Sequence, residues 1–150
     1  MTTKDILQDY AATKDNLLMI LHDIQQNNPD NRVSEQDIKE VAAYLNTTYA
    51  AVYGVITYYS MLSVKPRGKN IIRVCRSPMC RMVGATDMLS YLRSKLMIDI
   101  GGTTQDKIFT LETTECLGQC DKSPVLTVNE DLYTDLDTGK IDNIIEKYRK

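Results

Sequence analysis

Four cysteines are the residues of this chain best equipped for chemistry, and they come as two pairs. Four residues separate Cys75 from Cys80, three separate Cys116 from Cys120, and thirty-five lie between the pairs. Four thiolates brought together can hold a [2Fe-2S] cluster or a Zn²⁺ ion; without metal they can form two disulfides or exchange thiols. Structural zinc sites more often use knuckles with two intervening residues around one ion, whereas loops of three and four residues suit two irons, each held by its own pair. Disulfides are disfavoured because Met1-Thr-Thr-Lys-Asp-Ile does not open a secretory signal. A thioredoxin-type dithiol would show Cys-x-x-Cys, which does not occur here. The spacing favours the cluster, with zinc and thiol chemistry left as alternatives.

The neighbouring residues suit an anionic group. An oxidised [2Fe-2S] centre with four thiolates carries a net charge of about -2 and gains another negative charge on reduction. A helix expected just after Cys80 would aim its N-terminal amides at that charge. Arg76 and Arg81 would add positive potential, and Gly118 either lets backbone approach a sulfur or simply makes a turn. From Lys65 to Arg81 there are six basic residues and no acidic one. That run reads as a solvated surface, a docking face for an acidic partner, or a charge tuner for the cluster.

The elements that must position the cysteines follow from hydrophobic period. Ile71-Ile72-Arg73-Val74 reads as a short buried strand, Gly84 to Leu96 as a helix with Met88, Leu89, Leu92 and Leu96 on one face, and Ile108 to Thr113 as a second strand. In a right-handed βαβ unit the two strands run parallel, so the loops leaving their C-terminal ends, each carrying one cysteine pair, share an edge of the sheet. Val125 to Val128, a turn at Asn129-Glu130-Asp131 and Leu132-Tyr133 predict a hairpin. A closing helix carries Ile141, Ile144, Ile145 and Tyr148. By pattern, this is the order of a thioredoxin-like domain.

The first part of the chain is helical. Leu17, Ile20, Leu21 and Ile24 predict one helix ending near Asn27-Asn28-Pro29, and the capping box Ser34-Glu35-Gln36-Asp37 opens a second through Ile38, Val41, Ala42 and Leu45. A tyrosine-rich stretch from Tyr49 to Leu62, with Val52, Tyr53, Ile56, Tyr59 and Met61 on a broad apolar face, predicts a third. Its tyrosines read as core and interface packing rather than a cofactor box. His22 has no second histidine to join it, which argues against a metal or acid-base role. The expected architecture is α+β: a three-helix bundle over residues 1–68, then a thioredoxin-like α/β domain with a mixed sheet over 69–150.

Composition narrows the function classes. With 150 residues, 43% hydrophobic and 25% charged, the chain can bury real cores without disulfides. A net charge of -2 argues against generic nucleic-acid binding. No apolar run approaches the roughly 20 residues of a membrane span. The first thirty residues hold several aspartates and few basic residues, unlike an organellar transit peptide, so a cytoplasmic location without membrane insertion is expected.

With these residues in place, the chain resembles the small thioredoxin-like [2Fe-2S] subunits of NADH-oxidising complexes. That family includes the peripheral subunit of respiratory complex I and counterparts in NAD-dependent and electron-bifurcating hydrogenases and formate dehydrogenases. The resemblance runs from about Asp15 to Tyr148 and is carried by the cysteine spacing, Glu115-Cys116-Leu117-Gly118-Gln119-Cys120, Ser123-Pro124-Val125 and Val128-Asn129. Val52-Tyr53-Gly54-Val55, Tyr58-Tyr59-Ser60 and Gly102-Thr103-Thr104 add to it. It implies that Cys75, Cys80, Cys116 and Cys120 ligate one [2Fe-2S] cluster and that the helical part packs on a flavin-bearing partner. It further implies that the chain exchanges electrons, as a relay or reservoir and not as a catalyst, with a subunit binding FMN and NADH, beside further Fe-S catalytic subunits. Neither FMN nor NADH is expected on this chain, which has no Gly-rich dinucleotide motif. The first loop, Arg76-Ser77-Pro78-Met79, departs from the family pattern: Gly-Thr is expected within it, and a residue like His after the second cysteine, where Arg81 stands. The alternative reading is a structural zinc module without redox activity.

Overall fold

Alternation of side chains across a pleated strand explains how the second half of the chain builds its core. Strand β1 (Asn70–Cys75) pairs in parallel with β2 (Phe109–Thr114), in the register Ile72 to Leu111 and Arg73 to Glu112. On the other side β1 pairs antiparallel with β3 (Leu126–Val128), which turns back into β4 (Asp131–Tyr133), giving the mixed order β2-β1-β3-β4. Ile72, Val74, Phe109, Leu111, Leu126 and Val128 form one buried cluster with Leu92 and Leu96 of a helix α6 (Ala85–Leu96) and Ile141, Ile144 and Ile145 of a helix α7 (Thr138–Arg149). Each such burial is worth about 1.5–3 kcal/mol. The two helices are also tied by Asp142, which accepts a hydrogen bond from Tyr91 Oη at 2.8 Å and pairs with Lys95 at 3.0 Å.

This computed structural model describes residues 2–149. The chain divides into two compact units, Met1–Pro66 and Arg67–Lys150. Among the described residues no helix is long and apolar enough to cross a membrane.

At the strand residues 73 and 112 the side chains are polar. Arg67 Nη1 and Arg73 Nε both donate to Glu112, at 3.2 and 3.0 Å, with the Arg67 side chain only 4% exposed. Gly68 lies so close to β2 that an added Cβ would stand 2.8 Å from the Phe109 carbonyl carbon, while its N–H donates to Thr110 Oγ1 at 2.6 Å. This position needs glycine for its lack of a side chain.

The first unit is all helix: α1 (Thr3–Gln8), a 3₁₀ turn (Lys14–Asn16), α2 (Leu17–Asn27), α3 (Glu35–Tyr44) and α4 (Tyr49–Tyr58). Its core gathers Ile6, Leu7, Ile20, Leu21, Ile24, Ile38, Val41, Val52 and Ile56. The Ser34 capping box forms as the sequence predicts, with Ser34 Oγ accepting from the Asp37 amide and Asp37 accepting from the Ser34 amide. Buried Gln25 satisfies both ends of its amide, donating to the Met61 carbonyl at 2.9 Å and accepting from the Ser63 amide at 2.8 Å.

The mixed α/β fold and its sheet match the expectation, and three details differ. Helix α1 is not predicted, because six residues are too few to show a period; its capping box, Thr2 with Asp5, is the readable sign. Helix α4 ends at Tyr58, short of Leu62, and Tyr53 and Met61 point outward, 41% and 44% exposed. Val52 and Ile56 are fully buried, and Val55 and Tyr59 pack partly against the same core; a helix apolar all round gives no stripe from which to read its buried side. Finally, the helix expected directly after Cys80 is two helices, α5 (Pro78–Met82) and α6, separated by Gly84 with φ of 106°.

Candidate metal centre

The parallel pairing of β1 and β2 carries both cysteine loops to one sheet edge. Cys75 is the last residue of β1, opposite Thr114, and Cys116 follows two residues after that position. The backbone stitches the edge together where the Arg76 amide donates to the Thr114 carbonyl at 3.0 Å and the Cys75 amide to the Val125 carbonyl at 3.1 Å. Cys80 stands inside α5, whose start is fixed by Ser77 at the N-cap and Pro78 at the first helical position. Cys120 opens a 3₁₀ turn, Cys120–Lys122.

The structure brings both loops to this edge and leaves their cysteines as two unlike pairs. Cys75 and Cys80 are each 1% exposed, whereas Cys116 and Cys120 are solvent-exposed, with sulfurs 3.8 Å apart. That separation is what two sulfurs on one tetrahedral metal require, since metal–sulfur bonds of about 2.3 Å give an edge of about 3.8 Å. Among the described residues no group of three or more histidine, cysteine, aspartate or glutamate side chains is close enough to hold a metal ion, so the four sulfurs stand as two separate pairs. Two pairs of cysteine sulfurs on neighbouring loops are the donor chemistry that a [2Fe-2S] cluster takes.

Three of the four sulfurs have a hydroxyl or amide neighbour. Ser77 Oγ lies 3.4 Å from Cys75 Sγ, Ser123 Oγ lies 3.3 Å from Cys80 Sγ, and the Gly118 amide donates to Cys116 Sγ at 3.4 Å. Gly118 has φ of 79°, a conformation glycine adopts freely, so it serves both the turn and the sulfur. Burial pushes the Cys75 thiol up, but hydrogen bonds from the Ser77 side chain, the Ser77 and Leu117 amides and Cys80 outweigh it and leave the thiol below its usual value. Cys120 is held above the usual value, first by its hydrogen bond with Cys116 and then by the charge there. A sulfur whose anion is favoured at a buried site is prepared to ligate metal.

The basic run resolves into separate roles. Arg67 and Arg73 are spent on Glu112, and Arg76 donates to Glu115 Oε1 through Nε at 3.0 Å and through Nη2. The expectation that Arg76 supplies free positive potential is thus corrected, because Glu115 neutralises it. Arg81 is exposed and lines, with Cys75, Arg76, Leu89 and Ile100, a groove of about 320 Å³. Reasoning from sequence does not single out Ser77, Ser123 or Glu115. A Ser-Pro at a helix start flags Ser77, whereas Glu115 and Ser123 stand in the motifs quoted above without any local sign of what they touch.

Comparison with known proteins agrees with this geometry. The family model described as thioredoxin-like [2Fe-2S] ferredoxin matches residues 3–149. A subunit of the NADH-quinone oxidoreductase of Rickettsia typhi is 36% identical over 144 residues, covering 95% of this chain and 85% of the relative. The same component from Buchnera aphidicola subsp. Acyrthosiphon pisum is 42% identical over 117 residues, covering 78% of this chain and 72% of its own length. In fold, the chain is similar to a chain of an NAD+-reducing [NiFe]-hydrogenase, with a TM-score of 0.79 at 21% identity over 92% of this chain, although it spans only 23% of that longer chain. The chain belongs to the thioredoxin-like [2Fe-2S] ferredoxin family and carries the one [2Fe-2S] cluster that membership implies.

Proposed function

We propose that this chain is the electron-transfer subunit of a multi-subunit NAD(H)-linked oxidoreductase, holding its cluster on Cys75, Cys80, Cys116 and Cys120 and exchanging electrons with a partner that binds FMN and NADH. When bound, the cluster supplies a one-electron couple. The observation that carries the reading is the pairing of sulfurs at one sheet edge: one buried pair, one exposed pair, and 3.8 Å between the exposed sulfurs. The buried pair, Cys75 and Cys80, belongs to the same core as Ala85 and Val125 and would hold its part of the cluster away from water. The exposed pair leaves the other side open for electron exchange, and hydrogen bonds to the sulfurs favour their anionic state. The names of the relatives in Rickettsia and Buchnera support an NADH-linked complex. The uncharged face of α4, with Tyr49, Tyr53 and Tyr58 exposed, suits packing on a larger subunit. The soluble, cytoplasmic setting follows as part of the same proposal.

Protein purified without oxygen is expected to be brown, to contain about two irons per chain and to give a rhombic EPR signal after reduction. Serine at any one of the four cysteines is expected to bleach or displace the visible bands. Stoichiometric zinc in place of iron, or four serine variants with the parental spectrum, refutes the reading. Copurification from the native host tests the partner: a flavin- and NADH-binding subunit is expected, and a lone chain argues for a free carrier.

A further inference from the structure

We propose that the hydroxyl of Ser77 is a positioning and potential-setting group for the cluster, acting through the buried sulfur of Cys75; the inference rests on the ligand assignment above. Three observations place it there. Ser77 is the N-cap of α5, and its Oγ accepts from the Cys80 amide at 3.5 Å. The same oxygen stands 3.4 Å from Cys75 Sγ, which is 1% exposed. One side chain thus touches both residues of the buried pair.

The proton inventory decides its direction. A serine hydroxyl has one proton to give and two lone pairs to receive. The Cys80 amide and the helix start occupy an acceptor site, which leaves the hydroxyl proton for Cys75 once that sulfur is a thiolate. Ser123 is placed differently. Its hydroxyl already donates to the Cys120 carbonyl at 3.0 Å, so its proton is shared away from Cys80. Cys75, buried from water, takes its hydrogen bonds from the protein, and beside the Ser77 and Leu117 amides the Ser77 hydroxyl is its side-chain hydroxyl neighbour.

Reduction by one electron, supplied in the assay by dithionite, adds one unit of negative charge, part of which falls on the cysteine sulfurs. A donor aimed at a sulfur is therefore worth more in the reduced state than in the oxidised state. Removing it makes reduction harder. The expected change is a three- to tenfold fall in the reduced-to-oxidised ratio at fixed potential, equal to a drop of about 28 to 59 mV for a one-electron couple at 59 mV per tenfold.

The test is an EPR-monitored redox titration of the full-length, cluster-loaded chain, with iron content and visible circular dichroism checked for each variant. Ser77→Ala is expected to lower the midpoint, and Ser77→Thr, which keeps a hydroxyl, to restore it. Ser77→Val has nearly the shape of Ser77→Thr without the hydroxyl, so this pair supplies the comparison should the alanine variant fail to load. Equal midpoints for the threonine and valine variants, with the parent titrating normally, overturn this inference alone. A role confined to capping α5 would change stability in S77A and leave the midpoint in place. A parent without two irons refutes the ligand assignment, and this inference with it.

Discussion

Replacing Glu112 with glutamine is expected to loosen the sheet that carries the cysteines, and the arrangement around it sets the size of the effect. Glu112 receives Arg67 at 3.2 Å and Arg73 at 3.0 Å, with side-chain exposures of 4% for Arg67, 22% for Arg73 and 20% for Glu112. At an effective dielectric of about 20, a charge pair at this distance attracts by roughly 5 kcal/mol, most of which repays the desolvation of the ions. Removing only the carboxylate charge leaves a buried guanidinium uncompensated, a change that commonly costs about 3–5 kcal/mol. Burial already pulls Arg67 below the usual arginine value, against the charge and hydrogen bond of Glu112, which marks it as the group that needs its partner. Glutamine keeps one acceptor, and Arg67 has interactions besides Glu112, so the expected cost is about 2–3 kcal/mol. Hydrogen exchange of the β1 and β2 amides should then quicken about 30- to 150-fold. Arg73→Gln, which leaves the buried pair intact and removes a more exposed charge, should cost less than about 1 kcal/mol. Acceleration in E112Q below about threefold, or equal effects from both variants, would refute the argument that Arg67 is the dependent charge.

The Arg76–Glu115 pair joins the two cysteine loops and is largely exposed, 61% and 76%, so its variants should act mainly through charge. Glu115→Gln releases a positive charge beside the cluster and should raise the midpoint, while Arg76→Gln should lower it, each by about threefold in the reduced-to-oxidised ratio for a unit charge roughly 7 Å away in a water-like dielectric; shifts of the same sign in a redox titration would show that the pair acts through shape. The Asp142 carboxyl is held below the usual range first by the Tyr91 hydrogen bond and then by Lys95. Its folded value is depressed, so it stabilises the α6–α7 contact above the ordinary aspartate value and loses that contribution as pH falls through the lowered one. Urea midpoints measured between pH 6 and pH 3 should fall less steeply for Asp142→Asn than for the parent, and an unchanged acid limb would discount the contact.

What can be read from the sequence depends on how local the determining physics is. Ser34 and Asp37 announce a helix within four residues, and the structure closes both halves of their capping box. Likewise Ile72 and Val74, with Leu111 opposite, carry the period of a strand, and the parallel register follows from chain handedness. The convergence of the cysteines is legible for the same reason, since each pair trails a strand. What escapes depends on partners distant in sequence. Arg76 reads as a free cation until Glu115, thirty-nine positions away, is found beside it. Ser123 is an ordinary loop serine until Cys80, forty-three positions away, proves to be its neighbour. Tyr53 and Met61 are misplaced for the converse reason, because an apolar face is buried only if something covers it, and within the described unit Val52 and Ile56 already satisfy the core. The proposed ligands can thus be picked out by spacing, whereas the charges and hydroxyls expected to set their potential belong to the tertiary fold. Two chains with the same cysteine spacing could therefore hold the same cluster at different potentials, according to what the sheet brings to positions such as 77, 115 and 123.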